Sequence, residues 1–195
     1  MNLTKQYLDA MKNFTEFLEY VSKLKLTVRT GWDFYKVPGI RETIGSHSFG
    51  VVFIAWILAK KEKLNVDKVI KMALVHDFLE GITGDITPHD EAYKIKHIIE
   101  KKAIQKLKKI LPEEIKKDIE KLINELIECK TKESQIVVQA DKLDTAFQAY
   151  LYEKKKYGKN VKDSDLSGFF DFNTKDNEFS KKLLHCIKKL RKKSK

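Results

Sequence analysis

NVDKVIKMALVHDFLEGITGDITPHD, Asn65 to Asp90, is the stretch from which the fold is read. Val66, Val69, Ile70 and Ala73 recur at three- and four-residue spacing, which is the pattern of an amphipathic helix and not of an alternating strand. Asn65 has an N-cap side chain, and Gly81 and Gly84 end the helix after about Phe78 or Leu79. The same stretch crowds His76, Asp77, Glu80, Asp85, His89 and Asp90 directly behind a core-like apolar run. Acids and imidazoles are costly to bury uncompensated, and one divalent cation compensates several at once. A helical core and a metal site are therefore expected together, with the missing ligands supplied from elsewhere.

Outward from this stretch the helical period persists. Ile44 to Lys61 is apolar almost all round, as a central helix should be, and carries His47 in its first turns. Leu3, Tyr7, Leu8, Met11, Phe14, Phe17, Leu18, Val21 and Leu24 give a first helix with one buried stripe, ending near Leu26. Further helices are expected over about His89 to Leu111, Pro112 to Cys129, Ser134 to Lys156 and Asn177 to Lys192. The fifth of these six helices turns Ile136, Val137, Ala140, Leu143, Phe147 and Tyr150 inward, with Asp141 and Asp144 among them. Thr27 to Arg41 is an irregular connection holding Arg29, Trp32, Tyr35 and Arg41, and Gly158 to Asp176 is a loop with short helical pieces. The chain has 195 residues, three prolines and eight glycines, so the expectation is one all-α helical bundle over 1–195. Its motif-bearing core spans about 24–156, its closing helix 177–192 and a basic tail 188–195.

The formal net charge of +11 invites a nucleic-acid partner. Its distribution argues otherwise. Lysines alternate with glutamates through segments such as Glu100 to Glu120, the composition of solvated helix faces, and only Lys188 to Lys195 is a concentrated basic block. The charge equally suits a small phosphorylated substrate. Phe49 to Ala59, the longest apolar run, is too short to cross a bilayer, and the two cysteines, Cys129 and Cys186, have no zinc or disulfide spacing. A membrane-free, reducing cytoplasmic setting is expected.

Adjacent His76 and Asp77 stand about 100° apart on a helix and can straddle one ion, while Glu80 hangs over the same edge. His47 and Asp141 can complete a shell of imidazoles and carboxylates, a set suited to one Mn²⁺, Fe²⁺, Co²⁺ or Zn²⁺.

His47, His76-Asp77 and Asp141, in that order, resemble the H…HD…D residues of the HD-domain superfamily of metal-dependent phosphohydrolases. Leu24-Lys25-Leu26…Arg29-Thr30-Gly31-Trp32, Arg41-Glu42-Thr43-Ile44…His47-Ser48, Leu74-Val75-His76-Asp77…Glu80…Gly84-Asp85-Ile86-Thr87-Pro88 and Ala140-Asp141-Lys142-Leu143-Asp144 resemble its 5′-deoxynucleotidase branch. The resemblance implies hydrolysis of the 5′-phosphate of nucleoside monophosphates, metal ligands His47, His76, Asp77 and Asp141, and proton work at Glu80 and Asp85. It implies that Arg29 contacts the phosphate and that the chain pairs as a homodimer; the alternative for Arg29 is a structural ion pair with Glu42, with Arg41 then the phosphate ligand. Trp32 and Tyr35 are candidates to wall a base pocket, against ordinary packing within their own domain. Asp144 is a rival to Asp141 or its partner behind the metal. His89 and His97 are read as surface histidines, against a second metal. Ser46 departs from the family pattern, which has an acid there, so altered substrate contacts are expected with the metal retained. Two further functions stay open at this point: a phosphodiesterase or nucleotide-polyphosphate hydrolase, and a non-catalytic nucleotide- or nucleic-acid-binding module.

Overall fold

In the computed structural model, residues 3–87, 89–154, 166–174 and 177–194 are described. The helical expectation holds. α1 (Leu3–Leu26) leads through a short α2 (Thr30–Phe34) into α3 (Ile44–Lys61), followed by α4 (Val66–Val75) and α5 (Glu80–Thr83). A 3₁₀ turn over Glu91–Ile95 opens α6 (Lys96–Ile110), and α7 (Glu113–Glu128) and α8 (Lys132–Lys154) follow. A second 3₁₀ turn, Leu166–Phe170, and α9 (Glu178–Ser194) complete the described elements. The expected loop from Gly158 to Asp176 lies partly outside the described residues. The block expected as a basic tail continues α9 as far as Ser194.

α3 is the axis, packed most extensively against α8 and α4. Its start is set chemically: Thr43 accepts from the Ser46 amide while the Ser46 hydroxyl accepts from the Thr43 amide, a reciprocal capping box. Ile44, Val51, Ala55, Leu58 and Ala59 are buried on it. Phe49, Phe53, Trp56 and Ile57 are exposed, so the helix is central on one side only.

α4 starts as expected, with the Asn65 side chain accepting from the Lys68 amide. It stops earlier than expected, at Val75. The Nδ1–H of His76 donates to the Ala73 carbonyl at 2.8 Å, and the chain tightens through Phe78 N–H to Val75 C=O and Glu80 N–H to Asp77 C=O. The His-Asp pair therefore sits on a tight turn after the helix. The second half of α1 braces that turn: Tyr20 OH bonds the Phe78 carbonyl, Lys23 Nζ donates to the Gly81 carbonyl at 2.6 Å, and a Cβ on Gly81 would overlap the Tyr20 ring.

The expected buried stripe of α1 is corrected. Tyr20 and Leu24 are in the core and Phe17 and Val21 pack against it, but Tyr7, Leu8, Met11, Phe14 and Leu18 are exposed. Periodicity defines an apolar face without supplying what covers it. Phe147 on α8, expected inward, is also exposed. None of the described helices is long and apolar enough to cross a membrane.

Candidate active site

His47 comes from the first turns of α3, His76 and Asp77 from the turn after α4, and Asp141 from α8. Donor atoms of His47, His76 and Asp77 lie within 4.8 Å of one another. Asp141 Oδ1 joins them at 3.1 Å from His47 Nε2, and Asp77 Oδ2 is 3.1 Å from His76 Nε2 and 3.7 Å from His47 Nε2. The two Nε2 atoms face each other at 3.4 Å.

The surrounding contacts say what this cluster lacks. His47 Nδ1 donates to Asp144 Oδ2 at 2.8 Å, and His76 Nδ1 donates to the Ala73 carbonyl, so each neutral ring presents an Nε2 lone pair to the centre. Two nitrogen lone pairs and two carboxylates then converge without a donor among them. Such a set repels itself unless a cation lies between its members, and borderline N/O donors fit a divalent transition metal. Without an ion, protons take the place of that cation. Burial resists charging His47, yet hydrogen bonds to Asp141 and Asp144 push its pKa up to about 10. Burial raises Asp77, but His76, His47 and Arg29 outweigh it and hold its carboxyl below the usual range.

Asp144, read from the sequence as a rival to Asp141 or its partner behind the metal, takes the second place, behind the His47 imidazole. Its approach depends on Gly50 of α3, where a Cβ would overlap the Asp144 carboxylate. Arg29 is held by Glu42 Oε2 at 3.2 Å and Thr145 Oγ1 at 3.1 Å, and its other terminal nitrogen is 3.9 Å from Asp141 Oδ1. Burial works against the guanidinium's charge, but Asp77, Asp141, Glu42 and Asp85 more than offset it. Glu42 also accepts from the Trp32 indole N–H at 2.9 Å, so one buried carboxylate fixes both. The Arg29–Glu42 ion pair weighed from the sequence is thus present, while the tie from Glu42 to Trp32 carried no signal there.

Arg41 pairs with Asp33 and is not among the residues lining the cleft over the site. Ser46 is likewise absent from that lining, its hydroxyl spent on the α3 cap, which explains how a serine stands at that position.

The cleft, about 520 Å³, is lined by Arg29, Trp32, Asp77, Glu80, Asp85 and Asp141, and also by Lys96, Lys142 and several rings. Trp32 is 1 % exposed and packs on Tyr152 and Phe169, so it serves as wall and core at once. Glu80 Oε2 is buried with no hydrogen-bond partner among the described residues. Burial, then the charges of Asp77 and Asp85, push the Glu80 pKa up to about 9. Asp85 is anchored: its Oδ2 accepts from the Thr30 amide at 2.7 Å, and its carbonyl accepts from the Thr30 hydroxyl at 2.6 Å. His89 and His97, read as surface histidines, are both exposed, and His89 also lines the cleft. Lys96 was also missed, since one lysine among many carries no signal.

The family model described as "HD domain" matches residues 21–183. The chain is 38% identical over 169 residues to a 5′-deoxynucleotidase HDDC2 of Dictyostelium discoideum, covering 83% of this chain and 88% of that protein. It is 32% identical over 161 residues to the Homo sapiens 5′-deoxynucleotidase HDDC2, covering 82% and 76% respectively. Among solved structures it is similar to the PH0347 protein from Pyrococcus horikoshii OT3, with a TM-score of 0.71 and 31% identity over 92% of this chain and 98% of that one.

Proposed function

The chain belongs to the HD-domain family, and from that premise we propose that it is a metal-dependent phosphohydrolase removing the 5′-phosphate of nucleoside monophosphates, deoxynucleotides foremost. The observation that carries this is the convergence of four acceptors, from His47, His76, Asp77 and Asp141, of which Asp77 and Asp141 line a cleft together with Arg29. These four residues are the proposed ligands of one divalent ion, Mn²⁺, Fe²⁺, Co²⁺ or Zn²⁺. When bound, the ion would supply Lewis acidity toward water and a phosphoryl oxygen.

The chain's own residues account for the rest. Arg29, already oriented by Glu42 and Thr145, offers its remaining N–H groups to phosphoryl oxygens. Glu80, whose buried oxygen has no hydrogen-bond partner among the described residues and whose raised pKa keeps a proton on it near neutrality, is the group able to give that proton to the leaving 5′-oxygen and then take one from water. Asp85, locked to Thr30, orients and does not shuttle, so the two carboxylates divide the work expected of both. Trp32 keeps Glu42 in place and walls the cleft.

A second copy of the chain is proposed as partner, consistent with the uncovered apolar residues of α1 and α3. A reducing cytoplasm is the proposed compartment, in keeping with the free thiols Cys129 and Cys186. The functional test is phosphate release from a panel of deoxy- and ribonucleoside 5′-monophosphates, cyclic nucleotides and nucleoside triphosphates. Turnover led by the deoxynucleoside monophosphates is expected. Preference for a cyclic or polyphosphorylated nucleotide would replace this reading, and salt-sensitive binding without turnover would remove it.

A further inference from the structure

Four rings from separate segments line the cleft: Tyr35 at the end of α2, His89 after the Asp85 turn, Tyr93 in the first 3₁₀ turn and Phe169 in the second. His89 lies flat on Phe34, ring centres 3.6 Å apart and planes 4° from parallel. Tyr35 stands edge-on to both members of this pair, 5.1 Å from Phe34 and 5.9 Å from His89. It also packs 4.9 Å from Phe169, which continues to Trp32. The inner rings belong to the core, but Phe34 is 54% exposed and His89 is exposed as well. A parallel ring pair left in water contributes little to folding, so its position over the cleft calls for another reason.

We propose that Tyr35, His89 and Phe169 form a stacking site for the planar base of the nucleotide, with the Phe34–His89 pair as its outer wall. The inference deepens the functional reading above and rests on it. The lining of the cleft is of two kinds: Asp77, Glu80, Asp85, Asp141 and Arg29 belong to or adjoin the ligand cluster, and Tyr35, His89, Tyr93 and Phe169 supply rings. A ligand matching both parts has a phosphate at one end and a flat heterocycle at the other. Phe34 holds the His89 imidazole in one plane before a ligand arrives, so little ordering remains for the stacking step.

The test compares kcat/KM for deoxyadenosine 5′-monophosphate with that for 2-deoxyribose 5-phosphate, the same phosphoester without a base. In wild type the nucleotide is expected to be preferred. In His89→Ala that preference should fall about tenfold, within the range for loss of one base–aromatic stack. His89→Phe should restore most of it, which a mere folding defect at this turn would not allow. An unchanged preference in His89→Ala, or no preference in wild type, would overturn the stacking site while leaving the phosphohydrolase intact. Failure of wild type to release phosphate from either compound would instead overturn the functional reading, and this inference with it.

Discussion

His47 is constrained on both sides of its ring, by Asp144 at Nδ1 and by the ligand cluster at Nε2. Removing a hydrogen-bonded residue behind a ligating imidazole frees the ring to rotate and lowers its basicity. Asp144→Ala is therefore expected to weaken divalent-ion affinity about 10–100-fold, read by calorimetric titration, with the helix content by circular dichroism kept. Glu80 calls for a different measurement. Glu80→Gln retains the shape of the side chain and removes its proton chemistry, so kcat should fall about 10²–10⁴-fold with ion affinity nearly unchanged. A Glu80→Gln enzyme with wild-type kcat would take the proton role away from this residue. Both residues illustrate how sequence and structure divide the information. Asp77 and its neighbours stand in a recognisable order along the chain, whereas the task of Asp144 depends on a glycine one helix away.

The helices hold these residues in register through a few polar ties. α4, which delivers His76, is linked to α7 where Lys68 Nζ meets Glu125 Oε1 at 2.6 Å, with Thr131 bonding the same oxygen. Burial is the largest single influence on Glu125 and opposes its charge, but Lys68, Thr131 and Lys121 together outweigh it and set its pKa below the ordinary glutamate range. Folding lowers this pKa, so the contribution is full above the unfolded value and is lost as pH falls through the folded one. Urea denaturation should show Glu125→Gln less stable than wild type by at most about 1 kcal/mol at neutral pH, because the pair is near the surface. The difference should vanish in acid; a difference constant with pH would contradict the tie. Element boundaries were legible wherever a cap accompanied the period, as with Thr43 for α3 and Asn65 for α4. The early end of α4 was not, since it depends on the His76 side chain taking a backbone carbonyl. The loop from Thr27 to Arg41 was legible only as a loop. Its pinning by Arg29 N–H to Glu42 C=O and Ile44 N–H to Thr27 C=O needs partners that no local pattern reveals.

At the scale of the molecule, the bundle exists to bring α3, the turn after α4, and α8 to one point beneath a cleft. The uncovered apolar residues of α1 and α3 give the proposed pairing a clear test. Sedimentation equilibrium should report twice 22.8 kDa, and Phe53→Glu with Trp56→Glu should lower it to one. A wild-type monomer at all concentrations would end that proposal. The central claim is that four residues from three segments hold one ion on which phosphate release depends. Its most direct test is phosphate release from deoxyadenosine 5′-monophosphate by chelator-stripped protein titrated with Co²⁺ or Mn²⁺, for wild type and Asp77→Ala side by side. Wild type should be silent when stripped and recover on addition of about one ion per chain, with the variant remaining silent. Full activity in the stripped protein, or equal recovery by Asp77→Ala, would contradict it.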